Sequence, residues 1–182
     1  MSQIAPAVLS PETAREFIVR FKQRLKSGGE ALRSAYEAHP LTEPILKGRS
    51  RLVDGVLRDI WKEFAIPASA ALVAVGGYGR EELFPYSDVD LLFLLDATPD
   101  HDLSERLTQM IGLLWDVGLD IGHSVRTVDE CLEEAGLDVT VMTNLLEARL
   151  IGGNERLFER FGRQLREQLN PGQFYKAKCL EQ

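Results

Sequence analysis

Residues 72–95 read LVAVGGYGREELFPYSDVDLLFLL, and the order of the parts decides the fold. A short apolar run meets Gly76-Gly77, ten residues ending in Ser87 intervene, and Asp88-Val89-Asp90 opens a second apolar run. Ala71–Val75 and Asp88–Leu95 are too short for buried helices and are bounded by Pro67 and by the glycine pair, so each is expected to be a strand. Side chains alternate along a strand, so Asp88 and Asp90 share one face, about 6.5–7 Å apart, while Val89, Leu91, Phe93 and Leu95 take the other.

Two carboxylates so placed repel one another unless a positive charge compensates. Magnesium supplies such a charge, takes oxygen ligands and works in partnership with substrate phosphates. The flanking residues suit those phosphates. Gly76 and Gly77 permit positive φ and a close approach of main-chain N–H groups to an anion, Gly79 adds a flexible position, and Arg80 brings a guanidinium matched to phosphate oxygens. Ser87 either touches a phosphate or is a plain turn hydroxyl. Taken alone, Ser-Asp-x-Asp is a common turn before a strand; the combination with the upstream strand and Gly-Gly points to a phosphate cradle facing a metal-binding acidic pair.

Outward from this centre the chain is helical on both sides. Ser10-Pro11-Glu12 is a helix start, with a capping hydroxyl, a proline of preset φ and an acid at the positive end of the dipole. Ala14, Phe17, Ile18, Phe21 and Leu25 follow as one stripe, Gly28-Gly29 is expected to interrupt it, and His39-Pro40 ends the segment. A second amphipathic segment carries Ile45, Leu46, Leu52, Val53, Val56, Leu57, Ile60, Trp61 and Phe64. Beyond the central strands, a helix after Asp102 carries Leu103, Leu107, Met110, Ile111 and Leu114. Leu119–Thr127 reads as a third strand, and the remainder is expected to be helical, with Asp138 and Asn154 as N-caps. The expected architecture is α/β (α+β): a small mixed sheet with flanking helices, residues 1–67 forming a helical N-terminal extension and 68–182 the central domain.

Composition bounds the function. The 182 residues are 45% hydrophobic and 27% charged with a formal net charge of −7, which argues against a basic face for DNA or RNA. Cys131 and Cys179 show no metal-site spacing and no disulfide framework. No window approaches a membrane span, so a cytoplasmic protein with no membrane partner is expected.

The central motif is similar to the signature of the polymerase-β-like nucleotidyltransferase superfamily, a Gly-Gly or Gly-Ser turn followed at this distance by Asp-x-Asp or Asp-x-Glu. More closely, AVGGYGREELFPYSDVDLLFLL, GHSVRT, TNLLEARLIGG and GRSRLVDGVL resemble the nucleotidyltransferase domain of the bacterial [protein-PII] uridylyltransferase/uridylyl-removing enzymes. The resemblance runs from about the first long helix to the C-terminus. It implies a polymerase-β-like fold and Mg²⁺-dependent transfer of UMP from UTP to a tyrosine of the PII signal protein. Asp88 and Asp90 would hold the metal, and Gly76, Gly77, Gly79, Arg80 and Ser87 the nucleotide. Superfamily members usually add a third catalytic, metal-binding carboxylate from a neighbouring strand. Asp120 is the candidate, with Asp138 second, although a helix N-cap also accounts for Asp138.

His123, Arg126, Arg149 and Tyr78 are weaker candidates for the nucleotide pocket, set against a structural histidine, two surface ion pairs and an aromatic packed over the loop. Where the family usually reads Gly-Tyr-Gly-Arg-Gly-Glu-Leu, Glu81 replaces the last glycine. The family also continues into a His-Asp phosphohydrolase domain and glutamine-sensing ACT domains, for which the three histidines here provide no ligand set, so a domain shortened at its C-terminal side is expected. Adenylyl transfer to another protein or small-molecule hydroxyl, and a non-catalytic nucleotide-sensing module, are the alternatives.

Overall fold

The computed structural model describes residues 10–169. The first two helices, α1 (Pro11–Ala38) and α2 (Thr42–Glu63), are followed by strand β1 (Ala70–Ala74), a four-residue helical turn α3 (Gly76–Gly79) and strand β2 (Val89–Leu95). Helix α4 (His101–Val117), strand β3 (Ile121–Thr127), helices α5 (Val128–Leu137) and α6 (Val139–Leu146), strand β4 (Arg149–Gly153) and helix α7 (Glu155–Gln168) complete the order. The sheet runs β3-β2-β1-β4, with β1 antiparallel to both β2 and β4 and β2 parallel to β3. This is the small mixed sheet with flanking helices expected from the sequence.

Each sheet face has its own core. Leu72, Ala74, Val89, Leu91, Phe93 and Ile121 pack with Phe21 of α1, Val53, Leu57 and Trp61 of α2, and Leu107, Met110 and Leu114 of α4. The alternate residues, Ala71, Val73, Leu92 and Leu94, meet α5–α7 through Val128, Cys131, Met142, Leu145, Leu157 and Phe161. The period-2 alternation of β1 and β2 thus supplies both layers, which is why these strands read as continuous apolar runs. Burial also pushes the Cys131 thiol up to about 12; Cys179 lies outside the described residues.

Helix starts follow the expected chemistry. The Ser10 hydroxyl accepts from Thr13 N–H, Asp138 from Thr140 and Val141 N–H, and Asn154 from Leu157 N–H. Other local expectations are corrected. Helix α1 runs unbroken through Gly28-Gly29 because Gly28 serves the contact with α2: a Cβ there would stand 2.6 Å from Leu52 Cδ1, and one on Gly48 would stand 2.5 Å from Leu32 Cδ2. Tertiary packing therefore overrides the low helix propensity of glycine. Asp100, not Asp102, caps α4 by accepting from Leu103 N–H. The largest miss is β4, read from sequence as part of a helical remainder; it is a strand because β1 offers it an antiparallel edge.

Candidate functional site

The acidic residues gather where β2 and β3 begin. Val89 pairs with Ile121 and Asp90 with Gly122, and the N–H of Val89 donates to the Asp120 carbonyl at 2.8 Å, carrying the ladder one residue further back. Alternation along this register puts Asp88, Asp90 and Asp120 on one face, the face covered by α5–α7. Gly122 makes room for the arrangement, since a Cβ there would lie 2.5 Å from Asp90 Oδ1. Asp88 and Asp120, 32 positions apart, become neighbours through the parallel pairing.

No described residue forms an ion pair with Asp88, Asp90 or Asp120, whereas most acids around them are paired. Partial burial, and then the charge of Asp88, pushes the Asp90 carboxyl above its ordinary value. Among the described residues no three Asp, Glu, His or Cys side chains are grouped closely enough to hold a metal ion as they stand. An all-oxygen donor set with uncompensated charge, beside a turn offering N–H groups, suits a hard divalent cation carried with phosphates.

That turn is α3. Gly76 sits at φ +57°, and the position a Cβ would take on it is 3.6 Å from Asp90 Oδ2 and 3.9 Å from Asn144 Oδ1. Turn, acid and the exposed Asn144 of α6 therefore meet at one point, and Asn144 is a site residue that sequence spacing did not single out. The N–H groups of Gly79, Arg80 and Glu82 are bonded back to Val75, Gly76 and Gly77 carbonyls, while those of Gly76, Gly77 and Tyr78 have no acceptor among the described residues. Gly77, Arg80, Tyr86, Ser87, Asp88 and Asp90 line an open cleft of about 430 Å³. Asp120 shares the acidic face without lining this cleft.

Arg80 reaches the cleft already engaged: its guanidinium donates to Glu82 at 2.9 Å and to Glu147. Ser87 lies in an exposed turn and its N–H donates to the Phe84 carbonyl. Glu81 adopts φ +62°, a left-handed conformation that glycine takes without strain. The Asp138 carboxylate is used as the cap of α6. His123 pairs with Leu91 and so faces the opposite side of the sheet from Asp90, edge-on to Trp115 at 5.6 Å. Arg126 makes an ion pair with Glu134 at 2.6 Å.

Beneath the turn lies a network that sequence reasoning missed. Asp54 of α2, 3% exposed, accepts from the Tyr78 hydroxyl at 2.6 Å and from Arg149 at 2.6 and 3.1 Å. Arg149 is therefore neither a surface ion pair nor a cleft residue. Burial works against its charge, but hydrogen bonding to Asp54 and the Asp54 carboxylate outweigh it and raise its pKa. Burial and the same carboxylate push the Tyr78 hydroxyl upward, so it stays protonated as a donor.

Comparison with known proteins identifies the family of the domain that carries these residues. A model of the nucleotidyltransferase domain family matches residues 55–145, from the end of α2 through the turn, the acidic pair, β3 and most of α6. The chain is 51% identical over 176 residues to the bifunctional uridylyltransferase/uridylyl-removing enzyme of Aromatoleum aromaticum, covering 97% of this chain and 20% of that protein. The enzyme of the same name from Nitrosospira multiformis is 54% identical over 167 residues (88% and 19%), and that from Cupriavidus pinatubonensis 47% over 175 residues (95% and 20%). The chain thus spans about a fifth of the length of these relatives. It belongs to the nucleotidyltransferase domain family.

Proposed function

We propose that this nucleotidyltransferase domain transfers UMP from UTP to a tyrosine hydroxyl of a PII-type signal protein. The observation that carries the reading is the placement of Asp88, Asp90 and Asp120 on one face of paired strands, opposite a glycine turn whose leading N–H groups are free of acceptors among the described residues. The base and acceptor are supported by near-50% identity to proteins named uridylyltransferases.

In this reading the N–H groups of Gly76 and Gly77 bind the nucleotide phosphates, with Gly79 allowing the turn to close and Ser87 donating its hydroxyl. Asp88, Asp90 and Asp120 would hold Mg²⁺, which when bound offsets charge on the phosphates. Arg80 would meet a phosphate by exchanging its bond to Glu82 or Glu147. The acceptor oxygen attacks the α-phosphorus in line, a new P–O bond forms, the bond to the β-phosphate oxygen breaks and pyrophosphate leaves. Asp120, set back from the cleft, takes the proton from the attacking hydroxyl. No helix among the described residues is long and apolar enough to cross a membrane, and a cytoplasmic protein substrate fits the reading.

Incubation with purified PII protein and each of the four α-labelled nucleoside triphosphates in turn tests the proposal. Label should pass to a PII tyrosine from UTP and depend on Mg²⁺. Preferential transfer from ATP would make the domain an adenylyltransferase, and nucleotide binding with no transfer to any hydroxyl would make it a sensing module.

A further inference from the structure

The glycine turn is held from below by charged side chains from two distant parts of the chain, and the form of that attachment is informative. Arg149 of β4 forks in two directions. Its terminal nitrogens grip the Asp54 carboxylate, while Nε donates to the Gly79 carbonyl at 3.2 Å and Nη2 to the Tyr78 carbonyl at 3.2 Å. Asp54 closes the loop by accepting from the Tyr78 hydroxyl, and Arg58, itself bound to the Ile151 carbonyl, donates to its second oxygen at 3.3 Å. The guanidinium carbon of Arg149 lies 5.4 Å from the Tyr78 ring centre. Gly79 fits this clamp with no space to spare, since a Cβ would stand 2.3 Å from the Glu147 carbonyl oxygen.

A buried ion pair is a weak source of stability, because desolvation offsets most of the attraction and apolar residues often serve as well. Its strength is direction. Here three of the bonds end on two successive residues of the turn, Tyr78 and Gly79, and fix their carbonyls and one side chain. Fixing that end of a four-residue turn also fixes the N–H groups at its other end, beside Asp90.

We propose that Asp54 and Arg149 are positioning residues for nucleotidyl transfer, holding the Gly76–Gly79 turn in the one orientation that presents its N–H groups to the nucleotide phosphates. The inference rests on the reading of that turn as the phosphate cradle. Neither residue touches the cleft. The clamp acts through the main chain of the turn, where a displacement of about 1 Å is enough to cost about 100-fold in rate.

The test compares Arg149→Lys, Asp54→Asn and Tyr78→Phe with the unaltered chain in Mg²⁺-dependent transfer from UTP to PII, together with thermal melting of each protein. Arg149→Lys keeps the charge and loses the fork, so it should stay folded with kcat down about 10- to 100-fold and the KM for UTP changed far less. Tyr78→Phe removes one bond and should show a smaller fall of the same kind, while the Asp54→Asn/Arg149→Lys double variant should lose little more than the worse single variant. A folded Arg149→Lys protein with unaltered kcat, in an assay where the unaltered chain transfers UMP, would overturn the clamp and leave the proposed function standing. If the unaltered chain neither binds UTP nor transfers UMP, the phosphate reading falls and the clamp with it.

Discussion

Two acidic centres lie on either side of the same glycine turn and have opposite fates. Asp54 is sealed in the interior, and its oxygens accept from Tyr78, Arg149 and Arg58. Asp88 and Asp90 stand at the edge of β2 beside Asp120 and have no cation from the described residues. In the proposed reading, the fully bonded carboxylate is structural charge and the uncompensated ones are the charge that meets a ligand. An uncompensated cluster weakens the fold in proportion to its repulsion, and such a liability is retained where binding or catalysis needs it.

The contrast breaks most visibly in activity. Asp88→Asn and Asp90→Asn should each lower UMP transfer by about 1,000-fold or more, the scale of losing electrostatic stabilisation at a reacting centre, measured as initial rates at saturating UTP. In metal-free buffer Asp90→Asn should at the same time melt higher than the parent. The sign follows from linkage: the folded pKa is raised, so between the ordinary aspartate range and that raised value the folded state binds more protons than the unfolded one. The contribution of Asp90 to stability therefore declines as pH climbs through that window. The asparagine variant should lose that slope in melts recorded across the acidic range. Equal or lower stability would contradict the view of Asp90 as an uncompensated charge.

The sealed centre should respond in the other direction. Asp54→Ala strands Arg149 and Tyr78, and breaking such a pair costs about 3–5 kcal/mol, a fall in melting temperature of about 10 °C for a chain of this size. Glu81→Gly relieves a left-handed conformation in the loop between the two centres and should add about 0.5–1 kcal/mol, readable as a higher denaturant midpoint. Smallest of all, Arg160→Ala breaks an exposed pair with Asp96 and should change stability by no more than about 0.5 kcal/mol, the baseline against which both centres are judged.

What could be read in the sequence was local. The glycine pair, the ten-residue spacing and Asp88-Val89-Asp90 lie within one stretch, and strand alternation alone sets the two acids on one face. Asp120 could be named as a third acid, but only the parallel register of β2 and β3 brings it beside Asp88. Contacts across long separations left no such trace. Arg149 and Asp54 are 95 positions apart, each reads alone as an ordinary surface charge, and their partnership appears only when β4 joins β1 above α2. Strand β4 was itself hidden, because Arg149–Gly153 follows a helical run and owes its conformation to pairing with Ala71–Ala74. Gly28 misled for the same reason: its lack of a side chain suggested a break, and its use is to admit Leu52.

The most direct measurement is the rate of Mg²⁺-dependent UMP transfer from UTP to PII for the unaltered chain, Asp90→Asn and Arg160→Ala, with the metal-free melting temperature of each. The expected result is transfer abolished only in Asp90→Asn, which is also the most thermostable of the three. Transfer that persists in Asp90→Asn, or an Asp90→Asn protein that melts below the parent, would contradict the assignment of this acidic edge as the reaction centre.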